Sequence, residues 1–188
     1  MRNIFFNSAF IFIALLFLSC DKKDKYAAEI KMLDTLQQKV NNASIDFKKI
    51  DTLMVAAKCD SIVSQLTFIQ NNYKDTMTKE TAIFLEEYRS IKKSLDAFMK
   101  EVKGTLEEIE YSEKQRNSLV RDLQNNLQEE EKAKKYFNDE KFAMEQLIQK
   151  MNDMSKFANE NIEKYEELYP KVKKEMNKLQ NTISTNNE

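Results

Sequence analysis

The stretch LDTLQQKVNNASIDFKKIDTLMVAAKCDSIVSQLTFIQNNY, residues 33–73, decides the fold class. Leu33, Leu36, Val40, Ala43, Phe47, Ile50, Met54 and Ala57 follow one another at alternating steps of three and four, which places them on one face of an α-helix. The seam restarts one residue along, at Val55, Cys59, Ile62, Leu66, Ile69 and Tyr73. A one-residue slip of this kind keeps a long helix facing its partner although 3.6 residues make a turn. The pattern predicts a single helix over about 25–73.

Working outward, Asn71 to Thr78 is the first cluster of turn and cap residues, with Asp75 or Thr78 suited to cap a second helix. Phe84, Tyr88, Ile91, Leu95, Phe98 and Val102 form the next seam. Gly104 interrupts it, and Thr105-Leu106-Glu107-Glu108 has the form of a capping box that could restart a helix. Ile109, Leu119, Leu123, Ala133 and Phe137 stay in the frame of Phe84 to Val102, so continuity is the better reading and the second helix is expected over about 78–137. Ser112, Arg116, Asn126 and Glu130 fall at seam positions within it. Polar groups are costly to bury without partners. Arg116, Asn126 and Glu130 are therefore the candidate partner surface.

Asn138-Asp139 reads as the second reversal. Met144, Leu147, Met151, Met154, Ala158, Tyr165, Leu168, Val172 and Leu179 then mark a third helix over about 139–182, with a kink or break expected where Pro170 removes a backbone donor. Glycine and proline occur once each, at Gly104 and Pro170, whereas a sheet protein of this length needs many turns built from them. The expected fold is all-α: an elongated antiparallel bundle or coiled coil of about three long helices.

The N-terminus has a different composition. Arg2 supplies one positive charge, and Ile4 to Leu18 follows without a charged residue. The uninterrupted apolar run Ala9 to Leu18 falls well short of the roughly 20 apolar residues a membrane-crossing helix needs. It fits the core of an export signal instead. Leu16-Phe17-Leu18-Ser19-Cys20 puts a small residue directly before a cysteine, and this resembles the lipobox of bacterial lipoproteins in the looser form used by the Bacteroidota. The resemblance implies cleavage between Ser19 and Cys20 and acyl chains on Cys20. It divides the chain into a signal at 1–19, a lipidated cysteine with a short charged tether at 20–24, and a helical rod at 25–188. It further implies a lipid-anchored protein of the cell envelope, at the outer membrane in preference to the inner. A plain signal peptide and an uncleaved anchor fit the Ser19-Cys20 ending less well.

Removing Arg2 leaves 29 basic and 31 acidic residues in the mature part, so no basic footprint for nucleic acid is present. The chain has no histidine, which removes the commonest general base and the usual zinc and di-iron ligand sets. With one glycine there is no phosphate-cradling loop. No catalytic residue, cofactor or metal site is assigned. The carboxylates Glu86-Glu87, Glu107-Glu108-Glu110 and Glu166-Glu167 read as solvated helix faces, and Met144, Met151 and Met154 read as core rather than copper ligands. Glu130–Lys134 and Glu131–Lys135 are helix pairs of favourable polarity. Cys59 lies on a seam and reads as a buried small hydrophobe, with an intermolecular disulfide as the alternative. Two functions fit these features. One is a non-enzymatic scaffold or interaction module with a protein partner, and the other is a helical module holding a lipid, a cell-wall fragment or another small ligand.

Overall fold

In the computed structural model, which describes residues 25–73 and 77–185, every regular element is an α-helix. Four helices follow in order: α1, Ala27–Lys48; α2, Thr52–Asn72; α3, Lys79–Gln124; and α4, Glu130–Thr185. The signal, Ser19 and Cys20 lie outside the described residues.

The first arm is two helices rather than one. The chain leaves the helix at Lys49, and Asp51 takes an extended conformation from which its carboxylate accepts the backbone N–H groups of Leu53 and Met54 at 2.9 and 3.0 Å. This is an N-cap, worth about 1 kcal/mol. The seam slip is thus a break. Leu33, Leu36, Val40, Ala43 and Phe47 are buried before it, and Val55, Cys59, Ile62 and Ile69 after it, while Ile50 and Met54 are half-buried and Ala57 is exposed.

Thr78 caps α3, its hydroxyl accepting the Thr81 N–H at 3.2 Å. The helix then runs without interruption through Gly104, and Thr105, the first residue of the capping-box motif, is a fully buried interior position. The second reversal lies at 125–129, not at Asn138-Asp139. Asn126 adopts a left-handed φ of 52°, the Leu127 N–H reaches the Asp122 carbonyl at 3.0 Å, and the Asn126 N–H reaches that of Leu123 at 3.2 Å. That is a Schellman cap with asparagine in the glycine position. Asn138 and Asp139 sit on the exposed side of α4, where polar side chains cost a helix little. Ala133 and Phe137 therefore belong to α4. They matched the earlier heptad frame only because the five-residue turn preserves the spacing.

Pro170 does not break α4, which remains helical to Thr185. Proline sits on the exposed face, where the carbonyl it leaves without a partner can be hydrated.

Cross-helix pairs fix the topology. Asp34–Arg116, Phe47–Phe98 and Gln65–Tyr88 run in opposite senses, so the α1–α2 arm is antiparallel to α3. Tyr88–Tyr165, Thr105–Met154 and Glu108–Lys150 make α3 antiparallel to α4. Lys25–Glu130, Lys58–Glu166 and Tyr73–Glu175 make the first arm parallel to α4. Helices α1 and α2 do not pack on each other; both pack on α3 and α4, and the core follows the shared seam along the bundle.

Candidate functional site

The three residues of the expected partner surface are separated by the turn. Arg116, on α3, has a side chain only 16% exposed and is ion-paired with Asp34 of α1; it also donates to Asn117 Oδ1 at 2.8 Å, while its Nε is buried without a partner. Asn126 is the left-handed cap. Glu130 opens α4 and accepts from Lys25 at 2.9 Å and Lys134 at 2.8 Å, and these two hydrogen bonds, that from Lys134 the stronger, hold its carboxyl near pH 2. Arg116 thus faces a neighbouring helix, whereas Asn126 and Glu130 share the end of the bundle where the described chain begins.

The same segment carries a feature that the seam reading missed. Beside the reversal, α3 and α4 flank an open groove of about 430 Å³, lined among others by Tyr111, Asp122, Gln128, Tyr136, Asp139 and Glu140. Tyr111 and Tyr136 are 61% and 44% exposed. The Tyr111 hydroxyl accepts from Gln115 Nε2 at 2.7 Å, and Asp122 Oδ2 accepts from Gln128 Nε2 at 3.2 Å. Glu140 Oε1 is buried with no hydrogen-bond partner, and burial raises the carboxyl above its ordinary range. Among the described residues no ion pair engages Asp139 or Glu140, and no lysine or arginine lines the groove. Recurrence at Tyr136, Asp139, Glu140 and Ala143 was available as a helix-flank pattern, but only the position of the turn tells which neighbour that flank meets.

Elsewhere, five of the carboxylates in the clusters noted in the sequence are ion-paired within the chain. Glu86 pairs with Arg89 at 2.9 Å, Glu107 with Lys103 at 3.7 Å, Glu108 with Lys150 at 2.6 Å, Glu166 with Lys58 and Glu167 with Lys171 at 3.5 Å. Met144 and Met151 are buried, and half-buried Met154 receives the Thr105 hydroxyl at 3.4 Å. No group of three or more metal-binding side chains forms among the described residues.

Cys59 is buried and its thiol is pushed up to about 11, chiefly by burial. A tyrosine stack crosses the core: Tyr88 and Tyr165 at 5.6 Å, Tyr165 and Tyr169 at 5.5 Å, with Lys58 Nζ 4.3 Å from the Tyr165 ring. Tyr88 donates to Gln65 Oε1 at 2.7 Å, and burial, followed by its tyrosine neighbours, drives its hydroxyl well above the ordinary range. These contacts set register between the helices. The chain matches no protein-family model, no curated protein and no solved structure.

Proposed function

We propose that the chain is a lipid-anchored envelope protein whose mature part is a non-enzymatic scaffold or interaction module, a coiled-coil-like rod of three arms with α1 and α2 sharing the first. The observation that carries this reading is the arrangement of the bundle around its start. Lys25 lies beside Glu130 at one end, five positions after Cys20; the first arm and α4 start there, and α3 returns to it. At about 1.5 Å per residue, the 56 residues of α4 reach about 84 Å from such a tether. Ser19-Cys20 supports lipidation and cleavage, and the acyl chains would hold the rod at the membrane, at the outer one in preference to the inner. The absence of histidine and the dispersal of Cys59, Tyr88 and Glu140 through separate parts of the rod support a role without catalysis.

Mass spectrometry of protein extracted from its native membrane tests the anchor. The expected N-terminus is Cys20 carrying acyl chains, and Cys20→Ala should release the protein or stall its processing. An unmodified cysteine at position 20 of the mature protein refutes the anchor.

The second reading, a module holding a lipid, a cell-wall fragment or another small ligand, draws on the groove between α3 and α4. The hollows of 360 to 430 Å³ along the bundle open to solvent and carry charged linings, which favours contact with a macromolecule over enclosure of a small apolar ligand. A small molecule that raises the melting temperature would support the second reading.

A further inference from the structure

We propose that Leu127, at the tip of the turn between α3 and α4, sits in the boundary layer of the bilayer that holds Cys20 and so stands the rod on its end. The proposal rests on the reading of Cys20 as the lipid-bearing residue, and it adds a second contact with the membrane, made by the protein itself.

A single exposed leucine is ordinary on a protein surface. Leu127 is 64% exposed at a position where local structure normally gives an apolar residue a partner. It is the second residue beyond the C-cap of α3, in the Schellman turn that Asn126 makes with its left-handed φ. An apolar residue there commonly packs back onto the third or fourth residue before the cap. In α3 those residues are Asp122 and Arg121, so the turn offers the leucine no apolar counterpart. Its side chain is left projecting from the end of the bundle.

Position selects the bilayer as the occupant of that surface. The Lys25 ammonium lies 2.9 Å from the carboxylate of Glu130, which follows Leu127 by three positions, so the start of the described chain and the turn share one end. Cys20 and Lys25 are five residue steps apart, a span of at most about 17 Å when fully extended. A lipid on Cys20 therefore keeps this end at the membrane surface, whereas the 46 residues of α3 carry its other end about 69 Å away. Apolar side chains of interfacial segments reach about 5 to 10 Å into the boundary of headgroups and acyl chains. Arg121 and Lys132, with side chains 69% and 58% exposed, flank the turn with cationic heads that lipid phosphates attract. Glu129, 78% exposed, balances them, which suits a zwitterionic headgroup layer. The acyl chains already hold the protein, so the leucine acts on orientation and depth and adds little to attachment.

The test uses the full-length chain, extracted with its lipid from the membrane and reconstituted in phosphatidylethanolamine and phosphatidylcholine vesicles, with or without bromine on the acyl chains. The chain has no tryptophan, so one introduced residue reports alone. Asn125→Trp, exposed beside the leucine, should emit at shorter wavelength in vesicles and lose most of its fluorescence to the brominated chains. Adding Leu127→Asp should abolish both the shift and the quenching while the protein still floats with the vesicles. Ile83→Trp, 51% exposed in the second turn of α3 at the far end, should show neither effect. Circular dichroism establishes matched helicity before emission is compared.

Flotation without quenching in Asn125→Trp overturns the proposal and leaves the anchor standing. Quenching that survives Leu127→Asp overturns it, because the turn then meets the bilayer without the leucine. Equal quenching in Ile83→Trp overturns it as well, in favour of a rod lying along the membrane. A parent chain that does not float refutes the anchor, and the proposal falls with it, so the two failures are told apart.

Discussion

Two carboxylates of α4, Glu130 and Glu140, pull the acid stability of the rod in opposite directions. Glu130 is held near pH 2 against an ordinary value of 4.5 by hydrogen bonds from Lys134 and Lys25. A lowered carboxyl stabilises the fold above its unfolded value, and that contribution is lost as pH falls from 4.5 towards 2. Glu130→Gln should therefore flatten acid unfolding across this window, an effect that added salt reduces because the group is exposed. Glu140 has the reverse sign. Its carboxyl is raised by burial, so its contribution is complete below the ordinary carboxylate value and declines as pH rises through the folded one. Glu140→Gln should raise the melting temperature at neutral pH and lose that advantage in acid. A drop at neutral pH would mean that the carboxylate has a donor within the chain. Arg116 supplies a third measurement at this scale. Arg116→Glu places two carboxylates together and should cost about 1 to 2 kcal/mol, and Asp34→Lys in the same chain should recover part of it if the Asp34–Arg116 pair carries the effect. Chemical denaturation of the two single variants and the double variant measures the coupling.

At the level of the helices, stability and position are set by different residues. The seams of α3 and α4 bury Leu95, Leu123, Met144 and Met151 almost completely, and truncating any of them to alanine falls in the range of about 2 to 5 kcal/mol. Ends are set by caps worth far less, Asp51 for α2, Thr78 for α3 and the Asn126 turn before α4. Gly104 is the one residue of α3 that weakens its helix without evident return. It is exposed, and a Cβ built on it meets nothing within 4 Å. Gly104→Ala should stabilise the chain by about 1 kcal/mol with unchanged helicity, read from the denaturation midpoint. A loss of stability would mean that the glycine serves a contact outside the isolated chain.

For the whole molecule, the consequence of end-to-end α1 and α2 beside uninterrupted α3 and α4 is length. A rod of about 84 Å has a radius of gyration near 24 Å, against about 15 Å for a globule of the mature chain's size. Small-angle scattering of the mature chain should give the larger value, and the smaller would refute the extended bundle. The helical class and most of the core were legible in the sequence, because a seam such as Leu33, Leu36, Val40 or Met144, Leu147, Met151 states which face of a helix leaves water. The carboxyl pairs were legible in part: Glu130–Lys134 forms between neighbours on one helix turn. Residues 49–51 and 125–129 were misread because a break and a slip leave the same spacing, and because asparagine serves equally as a solvated helix residue and as a left-handed cap. Local pattern thus determined that the chain is helical and which residues are apolar seam. Only the tertiary structure decided where α3 turns into α4, and hence that Tyr111, Asp122, Tyr136 and Glu140 share one groove, since that juxtaposition depends on which turns of two antiparallel helices come level, and no short-range spacing encodes it.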